Sequence, residues 1–262
     1  MRKIDCAKYA QEILDHVKSI PNKKALLILT AGDDPASAAY MKGKVKDGDA
    51  CGVPVIVEKV LHQDDLMQKI RTANQIDHIG GIIVQLPLPA WFDAEEAISS
   101  IAPSKDVDGF KPTSKFLPCT PEGILYILER EVGELEGKSV LLIGKGKLVG
   151  RPLINLLLDK GCTLTVAHSK TRGLDSLLGS EYHDIVISAT GKLRLSSLYF
   201  VSAGVVIDAG ITRDEDGRLC GDFYGFDPYL FPDMCVTTVP GGVGLMTRAV
   251  LMKHMGEVSQ CP

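Results

Sequence analysis

The chain has 262 residues, of which 45% are hydrophobic and 24% are charged, the balance of a globular protein rather than a disordered or collagen-like one. Its formal net charge is −4 and it contains no basic block, so neither nucleic acid nor an anionic membrane surface is an expected partner. No apolar run approaches the roughly 18 residues that a membrane-spanning helix needs.

In chain order, apolar periodicity predicts alternating helices and strands in the first hundred residues. Predicted helices cover Cys6–Ser19, Ser37–Cys51, Asp65–Asn74 and Ala94–Ile101. Predicted strands cover Lys24–Thr30, Pro54–Leu61 and Gly80–Leu86. This alternation is typical of a mostly parallel sheet covered by helices on both faces.

The stretch Pro103–Pro121 breaks this rhythm and is too long for an ordinary connection, so it indicates a functional loop or a domain junction. Thr120 is the expected N-cap of the next helix, with Pro121 at its first position. Later strands are predicted at Ser139–Ile143, Leu164–Ala167, Ile185–Ala189 and Val205–Ala209, and a last helix at Met246–Val258. The sequence therefore predicts two α/β domains divided near residue 120.

A glycine turn after the strand Ser139–Ile143 is the sharpest signal in the chain. Gly144, Gly146 and Gly150 follow this strand and lead into a helix. In a dinucleotide site such glycines permit a tight bend and a close approach to the pyrophosphate, which the helix N-terminus attracts. The spacing is one residue longer than the common fingerprint, and an ordinary strand-to-helix turn is the alternative.

The next predicted strand ends at Ala167 and is followed by His168-Ser169-Lys170. An NAD site usually places a carboxylate near this point, about 20 residues after the glycines, to bind the adenosine ribose. This chain has a hydroxyl and cations instead, which favours the 2′-phosphate of NADP. A solvated loop that happens to be basic would look the same.

Two polar groups are candidates in the N-terminal half. On the predicted helix, Ser37, Tyr40 and Lys44 share one face, where a buried lysine could carry a proton. The plainer interpretation is a surface helix with a packed tyrosine. Gln85 lies at the carboxyl end of a buried strand, where α/β sheets bind ligands, although it could also bond only to nearby backbone.

Two loops complete the set of candidates. Asp106 and Asp108 form a carboxylate pair in the proline-rich junction, either for binding a substrate or as part of an Asp-Gly turn. The run Pro240–Gly244 is a rigid backbone loop that could lie against a flat ring or could simply lead into the last helix.

These clusters, in this order and spacing, resemble the bifunctional methylenetetrahydrofolate dehydrogenase/methenyltetrahydrofolate cyclohydrolase family. The resemblance runs from about Lys24 to Thr247 and rests on the Tyr-x-x-x-Lys helix, VQLPLP, KDVDG, PCTP, VGRP and PGGVG. It implies an α/β fold with two α/β domains around a cleft. Residues 1–120 would form a folate-binding catalytic domain, to which the final helix 246–262 returns, and residues 121–245 a Rossmann-like NAD(P)-binding domain.

The implied activity oxidises 5,10-methylenetetrahydrofolate to 5,10-methenyltetrahydrofolate with NADP and then hydrolyses it to 10-formyltetrahydrofolate, in one-carbon metabolism. The resemblance also implies residue roles. Lys44 would transfer protons and activate water, and Gln85 would position that lysine. Tyr40 would stack on the folate, and Asp108 would hydrogen-bond the pterin. Further substrate contacts are implied for Pro240, Gly241 and Gly242.

The coenzyme-binding residues that the resemblance implies are Gly144, Lys145, Gly146, Val149, Gly150, Ser169, Thr190, Gly191 and Ile211, and it implies no metal. Lys145 and Gly146 stand where the family has Arg and Ser, so NADP is expected to be preferred by less than an arginine would give, with NAD as an alternative. Thr238 and Leu245 stand where the family has prolines, so the glycine loop between them is expected to be looser.

Tetrahydrofolate derivatives are the expected partners, and the expected form is a cytoplasmic homodimer that serves purine biosynthesis. The cysteines form no C-x-x-C pair and Met1–Cys6 has no apolar stretch behind it, which favours reduced thiols in the cytoplasm. Two alternatives stay open: an oxidoreductase of another substrate, such as an amino-acid or shikimate-type dehydrogenase, and a folate-binding homologue without turnover. Tyr40, Lys44 and Gln85 argue against the first, and a coenzyme titration would separate the second.

Overall fold

The computed structural model describes residues 1–32, 34–179, 183–191, 195–196, 203–225, 229 and 232–260. The first part of the chain forms β1 (Arg2–Lys3), α1 (Cys6–Lys18), β2 (Ala25–Thr30), α2 (Pro35–Cys51), β3 (Val55–Lys59), α3 (Gln63–Asn74), β4 (Ile79–Val84) and α4 (Ala94–Ser100). The second part forms α5 (Cys119–Glu131), β5 (Ser139–Ile143), α6 (Gly150–Asp159), β6 (Thr163–Ala167), α7 (Leu174–Leu178), β7 (Ile185–Ser188), β8 (Leu195–Ser196), β9 (Val205–Asp208), β10 (Thr212–Arg213), β11 (Leu219–Cys220), β12 (Phe223–Tyr224), β13 (Cys235–Val236) and α8 (Val243–Gln260).

The chain forms two compact units. The N-terminal unit consists of Ala10–Cys119 and Arg248–Pro262, and the C-terminal unit consists of Met1–Tyr9 and Thr120–Thr247. Each unit has its own parallel sheet and its own apolar core. The predicted α/β fold with two domains is confirmed, and the predicted cleft stays a prediction.

The N-terminal unit is built on a parallel sheet in the order β3-β2-β4. Every residue of β2 and β4 is buried, as expected for parallel strands with both faces covered. Two glycines in β4 make room for α8, because a Cβ on Gly81 would lie 2.5 Å from Sδ of Met255, and one on Gly80 would lie 2.8 Å from Cγ1 of Val258. The last turns of α8 therefore pack directly on β4.

The C-terminal unit is built on a six-stranded sheet in the order β1-β13-β9-β7-β5-β6. All its neighbouring strands are parallel. Its core joins Leu141 and Ile143 of β5 to Val186 of β7 and Val206 of β9. The carboxyl ends of β5, β6, β7 and β9 consequently meet at one edge of the sheet, the edge at which α/β proteins bind ligands.

The structure differs from the sequence predictions at the domain borders. Residues 1–9, predicted within the 1–120 domain, belong to the C-terminal unit because β1 pairs with β13 and Ile4 donates a 2.8 Å hydrogen bond to Val236 O. Thr120 is not an N-cap: α5 already begins at Cys119, and Oγ1 of Thr120 lies 3.0 Å from Oγ1 of Thr247. The two-residue strands were not predicted, since so short a segment has no readable periodicity.

Candidate active site

Lys44 is a buried lysine in the middle of α2. The helix begins behind Asp34, whose side chain accepts a 2.7 Å hydrogen bond from the amide of Ser37. It ends at Gly52, whose left-handed backbone (φ 76°) lets its amide donate to Gly48 O. Lys44 exposes 4% of its surface, which is rare for lysine unless a polar partner is present.

That partner is Gln85, the residue directly after β4. Its Oε1 accepts a hydrogen bond from Nζ of Lys44 at 3.1 Å, and its Nε2 donates to the carbonyl of Leu86 at 2.8 Å. Because a carbonyl can only accept, the second bond fixes the amide nitrogen on the Leu86 side. The Gln85 oxygen is therefore held toward the lysine.

Tyr40 lies one turn before Lys44 on the same helix. Its ring centroid is 5.3 Å from Nζ of Lys44, within the range of a cation–π contact. The structure thus brings Tyr40, Lys44 and Gln85 together, although they were singled out from a helix and a distant strand end. Ser37, predicted on the same face, takes part in the cap of α2 through its backbone amide.

An ion pair between this helix and α8 was not predicted from the sequence. Asp47, one turn after Lys44, forms an ion pair with Arg248 of α8, with 2.9 Å between Oδ2 and Nε. Burial raises the pKa of Asp47, and the charge of Arg248 counteracts part of this rise. Arg248 therefore engages the carboxylate that follows Lys44 along the helix. No periodic pattern links positions 47 and 248, so sequence alone offered no signal.

The two carboxylates of the proline-rich junction have different environments. Asp106 is buried, and its Oδ2 accepts a 2.8 Å hydrogen bond from the amide of Lys111, which closes the loop. Burial raises the pKa of Asp106. Asp108 is half-buried and has no hydrogen bond to Lys44 or Gln85 in the described part of the chain. Of the predicted pair, Asp106 is structural and Asp108 is the candidate ligand.

The backbone beside Asp108 is fixed by two side chains. The carbonyl of Val107 accepts hydrogen bonds from Nδ1 of His254 at 2.8 Å and from Sγ of Cys119 at 3.3 Å. His254 is buried, and its ring stacks on Phe116 with 4.7 Å between the centroids. These contacts set the direction in which the chain presents Asp108.

The glycine turn after β5 fits a pyrophosphate. Gly144 has φ 109°, and a Cβ on it would lie 2.6 Å from the carbonyl oxygen of Ala189, so a side chain there would strain the turn. Gly150, the first residue of α6, lies against the carbonyl of Gly144 too closely for a Cβ. A Cβ on Gly146 would meet no described atom within 4 Å, and the side chain of Val149 does not cap α6. Among the described residues, open space therefore adjoins the first amides of α6.

The turn that carries Ser169 follows β6, the strand beside β5. Its shape is fixed by Thr171, whose Oγ1 accepts from the amide of His168 and whose amide donates to His168 O, both at 2.8 Å. Ser169 and Lys170 are exposed, as is Lys145 in the glycine turn. A hydroxyl and an ammonium group are thus available at the end of the strand where the ribose was predicted.

Thr190, Gly191 and Ile211 follow the carboxyl ends of β7 and β9. A Cβ on Gly144 would lie 3.2 Å from Cγ2 of Thr190, and one on Gly191 would lie 3.6 Å from Ile211 O. These predicted coenzyme residues therefore lie next to one another along the sheet edge.

Two buried carboxylates at the same edge, Asp208 and Asp222, were not predicted as site residues. Asp208 is the last residue of β9 and lies near the carboxyl end of the predicted strand Val205–Ala209, a position that was a readable signal. Asp222 lies between two short strands that no sequence pattern marks.

The loop Pro240–Gly242 precedes α8. Oγ1 of Thr238 donates a 3.0 Å hydrogen bond to Pro240 O, and the amide of Leu245 donates to Gly242 O at 3.0 Å. Proline at 238 or 245 could make neither bond. The two departures from the family pattern therefore add hydrogen bonds to this loop, whereas a looser loop was predicted from the sequence.

Within the described residues, no three His, Cys, Asp or Glu side chains are grouped as metal ligands would be. In that same part of the chain, no helix combines the length and apolar character needed to cross a membrane.

Both parts of the chain match models of one protein family. Residues 4–108 match the tetrahydrofolate dehydrogenase/cyclohydrolase catalytic domain, and residues 118–261 match the NAD(P)-binding domain of the same family. The bifunctional protein FolD of Rickettsia massiliae is 37% identical over 258 residues, which cover 93% of this chain and 88% of that protein.

Solved structures give the same result. The bifunctional enzyme FolD, methylenetetrahydrofolate dehydrogenase/cyclohydrolase, from Campylobacter jejuni superposes with a TM-score of 0.90 at 34% identity and covers 99% of both chains. The FolD of Trypanosoma brucei, complexed with NADP cofactor and inhibitor, has a TM-score of 0.88 at 27% identity, over 98% of this chain and 96% of that one.

Proposed function

Because this chain belongs to the tetrahydrofolate dehydrogenase/cyclohydrolase family, we propose that the residues described above carry out both reactions of that family, with NADP as hydride acceptor. The protein is a bifunctional methylenetetrahydrofolate dehydrogenase/cyclohydrolase of one-carbon metabolism. The first reaction removes a hydride from 5,10-methylenetetrahydrofolate and leaves the 5,10-methenyl cation. The second adds water to that cation and gives 10-formyltetrahydrofolate and a proton.

The contact between Lys44 and Gln85 carries the proposal for the hydrolytic step. Water attacks the methenyl carbon and gives one proton to the amine of Lys44, which leaves a neutral carbinolamine. The bond from that carbon to N5 then breaks as the carbinol hydroxyl loses its proton and N5 gains one, so the formyl group stays on N10 and Lys44 returns its proton to solvent. Gln85 accepts one N–H of Lys44 and so aims the amine. The neighbouring carboxylate of Asp47 pairs with Arg248, and the group that accepts from Nζ of Lys44 is the neutral amide of Gln85.

The folate itself is bound by two further side chains of the N-terminal unit in this proposal. The ring of Tyr40 offers a flat face beside Lys44 for stacking. Asp108 accepts hydrogen bonds from the amide and amine of the pterin and fixes its orientation. The loop Pro240–Gly242 supplies rigid backbone against the substrate.

The glycine turn and its neighbours bind the dinucleotide in this proposal. Gly144, Gly146, Val149 and Gly150 surround the pyrophosphate, and the N-terminus of α6 attracts its charge. Lys145 and Ser169 bind the 2′-phosphate, while Thr190, Gly191 and Ile211 line the rest of the site. NADP held by these residues would supply the acceptor for the hydride. The NADP complex of the Trypanosoma brucei enzyme supports this choice of coenzyme.

We further propose a homodimer that works in the cytoplasm and supplies 10-formyltetrahydrofolate for purine biosynthesis. The edge strand β3 supports the dimer, because Ile56 and Val57 expose 37% and 43% of their surface there. Buried thiols at Cys6, Cys51, Cys119 and Cys162 suit a reducing compartment. Light scattering of the wild type and of Val57→Lys tests the assembly: the dimer proposal requires twice the monomer mass for the wild type and a monomeric variant.

An assay with methylenetetrahydrofolate and each coenzyme, following reduced coenzyme and methenyl product separately, tests the activity. Lys44→Met is expected to slow hydrolysis of methenyltetrahydrofolate by about 10²–10⁴-fold, the usual contribution of a general base, while part of the hydride transfer survives. Lys46→Met, an exposed lysine on the same helix, is the matched control and should behave as the wild type. Hydrolysis by Lys44→Met within a few-fold of wild type would show that the assignment is wrong.

A further inference from the structure

Two buried carboxylates at the carboxyl edge of the six-stranded sheet take part in none of the steps above. Asp208 ends β9 and Asp222 precedes β12, and they expose 5% and 0% of their surfaces. A Cβ on Gly210 would overlap the carboxylate of Asp222, and one on Gly221 would overlap that of Asp208. Each carboxylate therefore fills the space left by a glycine of the other segment, and the two segments interlock.

Asp222 is the acceptor that organises the end of β7. Its Oδ2 accepts hydrogen bonds from Oγ of Ser188 at 2.6 Å, from the amide of Thr190 at 3.0 Å and from the amide of Gly191 at 3.3 Å. A carboxylate oxygen that accepts three donors in a buried site holds them more firmly than neutral acceptors do. The backbone of Thr190 and Gly191 is consequently set by one side chain.

Asp208 performs the matching task for the end of β9. Its Oδ1 accepts from the amides of Gly210 at 2.9 Å and Asp222 at 3.1 Å, and its Oδ2 accepts from the amide of Phe223 at 3.0 Å. Asp208 therefore ties Asp222 to the segment that leads to Ile211. Thr190 and Gly191 after β7 and Gly210 after β9 are therefore joined in one hydrogen-bonded assembly.

The strand order indicates which part of the coenzyme this assembly faces. The glycine turn ends β5, the proposed 2′-phosphate group ends β6 on one side of it, and β7 and β9 lie on the other side. With the pyrophosphate at β5 and the adenosine at β6, the nicotinamide half extends toward β7 and β9.

We propose that Asp222 is a positioning residue for hydride transfer, which holds Thr190, Gly191 and, through Asp208, Ile211 against the nicotinamide half of NADP. The inference rests on the proposed function, since it presumes a dinucleotide at the glycine turn. Hydride transfer depends steeply on the distance between donor and acceptor carbons, so a loosened loop slows that step while the adenosine half stays bound.

Asp222→Leu removes the acceptor, whereas Asp222→Asn keeps one oxygen for the three donors. Equilibrium titration of each protein with NADP and with 2′,5′-ADP, which lacks the nicotinamide half, reports binding apart from activity. We expect Asp222→Leu to weaken NADP binding about fivefold and to slow single-turnover hydride transfer by about ten- to a hundredfold. Its affinity for 2′,5′-ADP and its hydrolysis of methenyltetrahydrofolate should stay within about twofold of wild type. Asp222→Asn should stay within about threefold of wild type in both affinities and both reaction rates.

Asp184→Leu is the matched control. Asp184 accepts a 2.8 Å hydrogen bond from the amide of Ser139 at the amino ends of the strands, away from the coenzyme residues. It should leave NADP binding and hydride transfer unchanged. If Asp222→Leu does not fold, Ser188→Ala serves instead, because it removes one of the three donors. It should weaken NADP binding and slow hydride transfer by about threefold, while 2′,5′-ADP affinity and hydrolysis are retained.

Three outcomes would overturn the inference. They are unchanged NADP binding and hydride transfer in Asp222→Leu and Ser188→Ala, an equal loss of 2′,5′-ADP affinity, and an Asn variant as impaired as the Leu variant. A wild type that binds neither NADP nor 2′,5′-ADP would instead overturn the proposed coenzyme function, and this inference with it.

Discussion

The guanidinium group of Arg248 occupies the space that a side chain at Gly43 would fill. Arg248 thereby packs on α2 beside Lys44 and reaches Asp47, with 2.9 Å between its Nε and Oδ2. A glycine inside a helix costs about 1 kcal/mol relative to alanine. The position of Arg248 explains why the helix nevertheless has a glycine there, next to the proposed base.

The first prediction reverses the usual effect of a glycine-to-alanine change in a helix. Gly43→Ala is expected to lower the free energy of unfolding by about 1–3 kcal/mol, because the new methyl group displaces Arg248 from Asp47. In an Arg248→Ala background the space is open, so the same change should raise it by up to about 1 kcal/mol. Urea unfolding of the wild type, the two single variants and the double variant completes this double-mutant cycle. A Gly43→Ala effect of the same sign in both backgrounds contradicts the prediction.

The second prediction separates the two carboxylates of the proline-rich junction. Asp108→Ala should weaken folate binding and slow both activities together, because the pterin loses its acceptor. Asp106→Ala should instead lower the free energy of unfolding by about 1–3 kcal/mol, because the amide of Lys111 loses its partner. Folate titration and urea unfolding of both variants measure the difference. Unchanged folate affinity in Asp108→Ala would leave that residue as part of a turn.

The third prediction concerns the pH dependence of stability. Burial raises the pKa of Asp208 to about 6, and the neighbouring Asp222 acts in the same direction. In the unfolded chain an aspartate has a pKa of about 3.9. Since the folded pKa is the higher one, the protonated form of Asp208 stabilises the fold. This contribution is fully present below about pH 4 and is lost as the pH rises through about 6.

Asp208→Asn cannot titrate at this position and serves as the reference. Between about pH 4 and pH 7 the unfolding free energy of the wild type should fall relative to that of the variant by up to about 3 kcal/mol. Urea unfolding at pH intervals across this range gives both curves. Curves that run parallel would show that Asp208 keeps its ordinary pKa in the folded protein.

The predictable features were those that local sequence determines. The buried strands and the turn at Gly144 follow from apolar runs and from a backbone that strains any other residue. Gln85 was found because the end of a parallel strand is a known ligand position, although its contact with Lys44 spans 41 residues of sequence.

Contacts formed by packing alone could not be predicted. Arg248 fills a gap at Gly43, and Asp222 fills one at Gly210, yet nothing in either segment indicates its distant partner. The same reason explains Thr120. Its neighbours in sequence predicted an N-cap, but α5 begins at Cys119 and the hydroxyl of Thr120 lies against that of Thr247.

The last prediction concerns the choice of coenzyme. The turn after β6 presents the exposed Ser169 and Lys170 and no carboxylate that would repel a 2′-phosphate, and Lys145 adds a positive charge at the glycine turn. Lys145 cannot make the two parallel bonds of an arginine, so the preference for NADP should be smaller than an arginine would give. A single charge-assisted hydrogen bond is worth roughly 1.5–3 kcal/mol, or about ten- to a hundredfold.

NADP should therefore exceed NAD in kcat/KM, and Lys145→Ala combined with Ser169→Ala should narrow the gap by lowering kcat/KM for NADP while leaving that for NAD nearly unchanged. Lys160→Ala is the control: it removes a lysine just after the opposite end of α6, where it pairs with Glu129, and should leave the ratio as it is. Steady-state kinetics with both coenzymes decide the matter. An equal or higher kcat/KM with NAD would refute the NADP assignment while leaving the folate chemistry of Lys44 and Gln85 intact, because hydrolysis of the methenyl cation needs no coenzyme.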